Sequence, residues 1–231
     1  MNNDSRKFAL DGAQYSPTEE FGLGLINDEH KQILSVGIST AGFAEIRMAI
    51  EDPQRKIVAT TLDKNGLEFS KKLIKKYKVD KQLELIIQDI SSQLPYKSEF
   101  FDFIYARLVL HYLPKKDLKK ALKNIYKILK NNADFYLVVR SYDWESEVMG
   151  ATYDNNSGIT TYPNFNDKNQ IFKTSERHLQ SVGSISSFLT EAGFKIGLIR
   201  LFSEIIFSGY IREKNEKNKL PAKLIAIHAK K

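Results

Sequence analysis

The sequence predicts an α/β fold: a three-layer sandwich on a seven-stranded, mostly parallel sheet with an antiparallel last strand. Three observations carry this. Short apolar or β-branched runs recur from residue 32 to the end of the chain. Segments with helical spacing stand between most of them, which is the pattern of βαβ units. The last two runs are joined by a charged connection, "REKNEKNK" (212–219), so they form a hairpin. Right-handed crossovers then put helices on both faces of the sheet.

Residues 1–30 are polar, with Tyr15, Pro17 and Phe21, and read as a leader with a short helix at most. The domain proper, 31–231, opens with "QILSV" (32–36), a short apolar strand. "AGFAEIRMAIE" (41–51) has helical spacing at Phe43, Ile46, Met48 and Ile50. "KIVATTL" (56–62) is β-branched and predicts a strand. In "GLEFSKKLIKKYK" (66–78), Leu67, Leu73, Ile74 and Tyr77 mark one face, with Lys72, Lys75 and Lys76 largely opposite, so a helix spans about 65–78. Strands follow at "LELIIQ" (83–88) and "FDFIYARL" (101–108). "KKDLKKALKNIYKILK" (115–130) sets Leu118, Ala121, Leu122, Ile125, Ile128 and Leu129 in one stripe and is a helix. Asn131-Asn132 is its expected stop, since asparagine tolerates a left-handed cap. "DFYLVVRS" (134–141) is the fifth strand. An insertion at about 143–175, rich in Asn, Asp, Ser, Thr, Gly and Tyr, reads as loops with a hairpin around Asn156-Ser157-Gly158. Ser175 then caps a helix, and a helix through "ISSFLTEA" (185–192) stops at Gly193. "FKIGLIRLFSEII" and "AKLIAIHAKK" close the sheet.

The chain has 231 residues, 42% hydrophobic and 27% charged, which fits one large globular domain. It has no cysteine, so disulfides, zinc–thiolate sites, iron–sulfur clusters and thiol nucleophiles are excluded. No apolar run reaches the length of a membrane span, and "MNNDSRKFALDG" lacks the apolar core of a secretory signal. A cytoplasmic protein is the expectation, with no membrane partner. The net charge is +7, but the lysines fall on the solvated faces of the predicted helices. No arginine cluster interleaves with aromatics, so a nucleic-acid partner is not expected.

Ligands of such sheets bind beyond the carboxyl ends of the strands, where strand order reverses. The loops after Val36, Leu62, Gln88 and Tyr105 should therefore converge. Gly37 lets backbone pass close to a ligand, and Ser39 and Ala41 keep the turn small. The next helix aims its N-terminal amides back at this loop, which suits a carboxylate or phosphate. The other reading is a plain strand–helix turn. Asp63, past the second strand, can accept from ribose hydroxyls or cap the next helix. Asp89, past the third, can accept from an adenine amino group or close a turn. Together these strand ends outline an adenosine-shaped site.

The stretch 89–141 resembles the class I S-adenosylmethionine-dependent methyltransferases, above all their small-molecule, type 11 branch, with its Rossmann-like sheet. The resemblance rests on Asp89, Leu94-Pro95-Tyr96, Phe101-Asp102, Leu110-His111 and Leu129-Lys130, in that order. "SISSFLTEAGFKI" (184–196) is similar to the family's helix ending in Ala-Gly-Phe. The resemblance implies S-adenosylmethionine as cofactor. Gly37, Ile38, Ser39 and Ala41 would face its methionine part, Asp63 and Lys64 its ribose and adenine edge, and Asp89 and Ile90 its adenine. Ala106, Arg107 and Leu108 would border the sulfonium. The family usually has Asp two residues before the first loop glycine, where Ser35 stands. Its later glycines are Ser39 and Ala41 here, and the apolar residue after Asp63 is Lys64.

The implied reaction is methyl transfer to a small-molecule acceptor, needing mainly alignment of donor and acceptor. His111 is the candidate base, or else a packing histidine at a strand–helix junction. Tyr15, Tyr112 and Tyr153 are candidate acceptor contacts, with Tyr162, Phe165 and Phe172 as a further aromatic wall. The leader 1–30 is a candidate lid. Two other readings stay open: a methyltransferase-like binding module that has lost catalysis, motivated by Ser35, Ser39 and Ala41, and an RNA or protein methyltransferase, motivated by the charge. The acceptor's identity and the oligomeric state are not legible.

Overall fold

A computed structural model describes residues 16–38, 42–142, 150–165, 171–206 and 221–231. Helix α1 (Pro17–Leu23) starts at Ser16, whose Oγ accepts from the Glu19 amide at 3.2 Å, with Pro17 at its first position. Strand β1 (Gln32–Val36), α2 (Phe43–Glu51), β2 (Lys56–Thr61), α3 (Lys64–Lys76) and β3 (Leu83–Ile87) follow in alternation. Then come β4 (Phe101–Arg107), a single 3₁₀ turn at Leu110–Tyr112, α4 (Lys115–Ile128) and β5 (Leu129–Arg140). Past the insertion lie α5 (Val182–Ala192), β9 (Lys195–Glu204) and β10 (Ala222–Lys230).

The main sheet has seven strands in the order β3-β2-β1-β4-β5-β10-β9. The first five are mutually parallel, while β10 runs antiparallel to both β5 and β9. Strand order reverses between β1 and β4, which places the ligand crevice at their carboxyl ends. The expected fold is thus the observed one. That β10 inserts between β5 and β9, rather than adding to the edge, is a tertiary choice.

The core lies on both faces of the sheet. On one face α4 and α5 cover Leu34, Val36, Ile104, Phe135 and Leu137. The α4 stripe, Leu118, Ala121, Leu122, Ile125 and Ile128, is fully buried against them. Each fully buried Leu, Ile or Phe is worth about 1.5–3 kcal/mol, so this stripe fixes the helix to the sheet. On the other face α1, α2 and α3 cover Ile33, Ile57, Phe103, Tyr105 and Tyr136. The exposed faces of α3 and α4 carry the lysines.

Three expectations are corrected. The insertion has the expected hairpin around Asn156-Ser157-Gly158, between β6 (Thr152–Tyr153) and β7 (Thr160–Phe165), but it is not otherwise loops: β8 (Ile171–Arg177) pairs with β7 to make a second, antiparallel sheet. Ser175 is therefore inside β8 and caps no helix. Helix α5 begins at Ser181, whose side chain and that of Ser184 form a reciprocal capping box, and it ends at left-handed Gly193. Asn131-Asn132 does not stop α4, which ends at Ile128. Left-handed Asn132 instead sits within β5 beside a register shift against β4, its amide donating to the Lys231 carbonyl at 3.2 Å.

Candidate active site

The carboxyl ends of β1, β2, β3 and β4 carry the predicted residues. Gly37 follows β1 with φ 76°, the left-handed region, and a Cβ there would lie 2.6 Å from Val109 Cγ2. Both facts require glycine. They also place the loop after β1 directly against the segment after β4. Thr60 ties this loop to β2: its Oγ1 accepts from the Gly37 amide at 3.3 Å, and its carbonyl from the Ile38 amide at 2.8 Å. Ser39 and Ala41 lie outside the described residues, as does Tyr15. Gly42, also left-handed, starts α2 without a side-chain cap. Ser35 Oγ donates to Glu45 Oε1 at 2.6 Å, and Glu45 is fully buried. A carboxylate therefore stands at this strand end after all, delivered by α2 rather than by β1.

Asp63 caps α3, its Oδ1 accepting from the Asn65 amide at 2.9 Å. Asp89 closes a turn: its Oδ1 accepts from the Ser91 amide and hydroxyl at 2.8 Å each, and its Oδ2 from Ser92 Oγ at 3.2 Å. Burial alone would raise the Asp89 pKa, but these serine bonds outweigh it and hold the carboxyl below its ordinary value. A carboxylate has about four acceptor sites, so a cap or turn role leaves room for ligand hydroxyls or amines. Lys64 is exposed at the start of α3, whereas Ile90 is buried in the core beneath α4. Ile90 therefore offers little surface to a ring. The apolar side chains open at these strand ends are Leu62, 66% exposed, and Ile87, 46% exposed. Sequence reasoning passed over both. Their signal was a large apolar residue at a strand's carboxyl end, where no strand buries it.

At the end of β4, Ala106 is fully buried in the core. Arg107 is turned under the leader rather than toward open solvent. Its Nε donates to Thr18 Oγ1 and its Nη2 to Ser16 Oγ, each at 2.8 Å, and it pairs with the buried carboxylate of Glu204 on β9. Burial opposes its charge, yet Tyr105, Glu204 and Glu19 hold its pKa above the ordinary arginine value. Glu204 Oε2 also accepts from the Thr18 amide at 2.9 Å, and Tyr136 Oη donates to the Thr18 carbonyl at 2.6 Å. The side chain of Arg107 thus fastens α1 to the sheet, a correction to its expected place beside the sulfonium. Leu108, next in the chain, is left-handed at φ 57°.

His111 lies in the 3₁₀ turn two residues past Val109, is 2% exposed, and has its Nδ1 buried without a partner. Burial, and then the charges of Arg177 and Arg140, push its pKa well below the ordinary histidine value. Its carbonyl accepts from the His178 amide at 2.7 Å, which fixes β8 against the turn. The exposed Tyr112 ring stacks under Arg177, with the guanidinium carbon 4.1 Å from its centroid. Arg140 ends β5 and its Nη1 donates to Tyr162 Oη at 3.3 Å. Tyr153 is exposed on β6, opposite Thr160 of β7, which in turn lies opposite Arg177 of β8, and the side chains of Phe165 and Phe172 lie outside the described set. A cavity of about 350 Å³ opens on the small sheet between Gly150, Thr152, Tyr162 and Ile171. Among the described residues no group of three His, Asp or Glu is arranged to hold a metal ion, and no helix is long and apolar enough to cross a membrane.

Residues 34–137 match a family described as "Methyltransferase domain". No curated protein matches the chain. Among solved structures, a SAM-dependent methyltransferase from Methanosarcina mazei is 15% identical with a TM-score of 0.68, covering 95% of this chain and 99% of that one. An S-adenosylmethionine-dependent methyltransferase from Clostridium acetobutylicum is 17% identical with a TM-score of 0.65, covering 95% and 93%. The cyclase SpnF is 14% identical with a TM-score of 0.61, covering 87% and 75%. At these identities the likeness is one of fold.

Proposed function

We propose that the protein, whose residues 34–137 match a methyltransferase domain, takes S-adenosylmethionine as its cofactor and methylates a small-molecule acceptor. The observation that carries this reading is the convergence at the strand-order reversal. Gly37 has no room for a Cβ, and Asp63 and Asp89 stand at the next two strand ends with Leu62 and Ile87 open beside them. These residues fit the cofactor's chemistry: carboxylates for ribose hydroxyls and an adenine amine, apolar surface for the ring, and a close backbone turn for the methionine end. Bound there, S-adenosylmethionine would supply an electrophilic methyl group on a positively charged sulfur, with a neutral thioether as its leaving group.

The chain's own residues then bind, orient and exclude water. Leu62 and Ile87 take the adenine role first given to Lys64 and Ile90. Helix α1, held by Arg107 and Glu204, serves as the lid expected of the leader. His111 is a poor proton acceptor, because burial and two nearby guanidinium groups oppose an imidazolium. It is better suited to accept a hydrogen bond that orients the acceptor, whose proton passes to solvent. The carboxylate of Glu45 behind Ser35 favours a working loop over a decayed one. Calorimetry with S-adenosylhomocysteine tests the reading: micromolar binding, weakened about tenfold or more by Asp63→Ala, is expected. No heat at millimolar ligand would sink it.

A further inference from the structure

We infer that the methyl acceptor is an acid, whose carboxylate is held by Arg177 where it lies over Tyr112, beside the turn that carries His111. This rests on the methyltransferase reading above. The first observation is the state of Arg177. Arg47, Arg55 and Arg107 each pair with a carboxylate. Arg177 pairs with none among the described residues, and its Nε is buried without a partner. Its guanidinium is nonetheless held in place over the Tyr112 ring, with Nη1 donating to the Glu176 carbonyl at 2.6 Å and Nη2 to Tyr112 Oη at 3.3 Å. A planar fork fixed before binding suits bidentate capture of a carboxylate at small entropic cost.

The second observation is what surrounds it. His111, almost wholly buried with an unpartnered Nδ1, faces the charges of both Arg177 and Arg140. Arg140 comes from the end of β5, Arg177 from β8, and His111 from the turn after β4. Three separate elements thus meet here, and Arg177 adds a positive charge near an unsatisfied nitrogen, two residues past the Val109 that faces Gly37. A site that also takes a cationic donor gains by receiving an anionic acceptor, since the acid offsets charge the site already holds. Tyr112, 55% exposed, leaves an aromatic face for the body of such a molecule.

The rival source of the carboxylate is the cofactor itself, so the experiment separates the two. Calorimetry on the full chain measures S-adenosylhomocysteine first. It then measures 4-hydroxybenzoate and its neutral isostere 4-hydroxybenzamide, with and without saturating S-adenosylhomocysteine. The acid should bind about tenfold more tightly than the amide. Arg177→Gln should erase that preference while leaving S-adenosylhomocysteine affinity within about twofold, and Arg177→Lys should restore part of it. Thermal melts of both variants report that they fold. Equal binding of acid and amide by the parent protein, or a preference that survives Arg177→Gln, overturns the inference. So does a tenfold loss of S-adenosylhomocysteine affinity in a folded Arg177→Gln protein, which would assign the arginine to the cofactor. If the parent protein ignores S-adenosylhomocysteine but prefers the acid, the anion site stands and the methyltransferase reading falls.

Discussion

Gly37 and the Arg107–Glu204 pair make the sharpest demands on single residues. Gly37→Ala would put a Cβ into Val109 and force a non-glycine residue to φ 76°. The left-handed conformation alone costs about 1–2 kcal/mol. We expect lowered thermal stability and weaker S-adenosylhomocysteine binding. Adding Val109→Ala should relieve little, because the Val109 Cβ that alanine keeps would itself lie 2.7 Å from the added Cβ, so the double variant should melt close to Gly37→Ala. Removing Glu204 strands a buried guanidinium, and breaking such a pair costs about 3–5 kcal/mol. Glu204→Ala and Arg107→Ala should each lower stability strongly in denaturant titrations, and the double variant should lose much less than their sum. This pair also marks where sequence reading stops. Arg107 was legible as a residue at a strand end. Its partner lies 97 positions away on an edge strand, and no local pattern announces that contact.

Helix α1 shows how an element can be legible while its role is not. Pro17 after Ser16 is a recognisable helix start, yet seven residues cannot hold a helix alone. Packing holds it. A Cβ on Gly22 would lie 2.3 Å from the Tyr136 ring and 2.8 Å from that of Tyr105. Gly22→Ala should therefore lift α1 from the sheet. Limited proteolysis is expected to cut within residues 16–25 faster than in the parent protein. If α1 acts as a lid, S-adenosylhomocysteine dissociation should quicken in parallel; unchanged cleavage and dissociation would argue against both. In the small sheet β6-β7-β8 the β6–β7 hairpin was legible from its Asn156-Ser157-Gly158 turn, whereas β8 was not, because its strand is rich in polar residues. Its pairing is antiparallel and largely exposed, so the apolar alternation that marks a half-buried strand is missing.

Across the whole molecule, stability should fall in two stages on acidification. His111 and His178 are both held below the ordinary histidine pKa, chiefly by burial. Groups with a depressed folded pKa contribute their full stability above the unfolded value, near 6.5 for histidine, and lose it as pH falls. The second stage belongs to Asp134, at the opposite end of the sheet. Burial would raise its pKa, but bonds to His228 at 2.6 Å and His30 at 3.1 Å drive it far below the ordinary carboxylate value. Its contribution is present above about pH 4 and fades below it. Melting temperature against pH should slope downward below about 6.5 and again below about 4. His111→Phe should flatten the first slope, and Asp134→Asn the second.

What the sequence determined by itself was periodic or local: strand and helix alternation, the amphipathic faces of α3 and α4, the Gly193 stop and the acids at strand ends. Each depends on neighbours within a few residues, so each leaves a pattern in the chain. Only the tertiary structure decided that β10 slots between β5 and β9, that Glu45 stands behind Ser35, that Arg107 binds Glu204, and that Arg177 lies over Tyr112. These join residues far apart in sequence, and what selects them is shared burial and charge pairing at the rim of a folded sheet. The unfolded chain has no such rim.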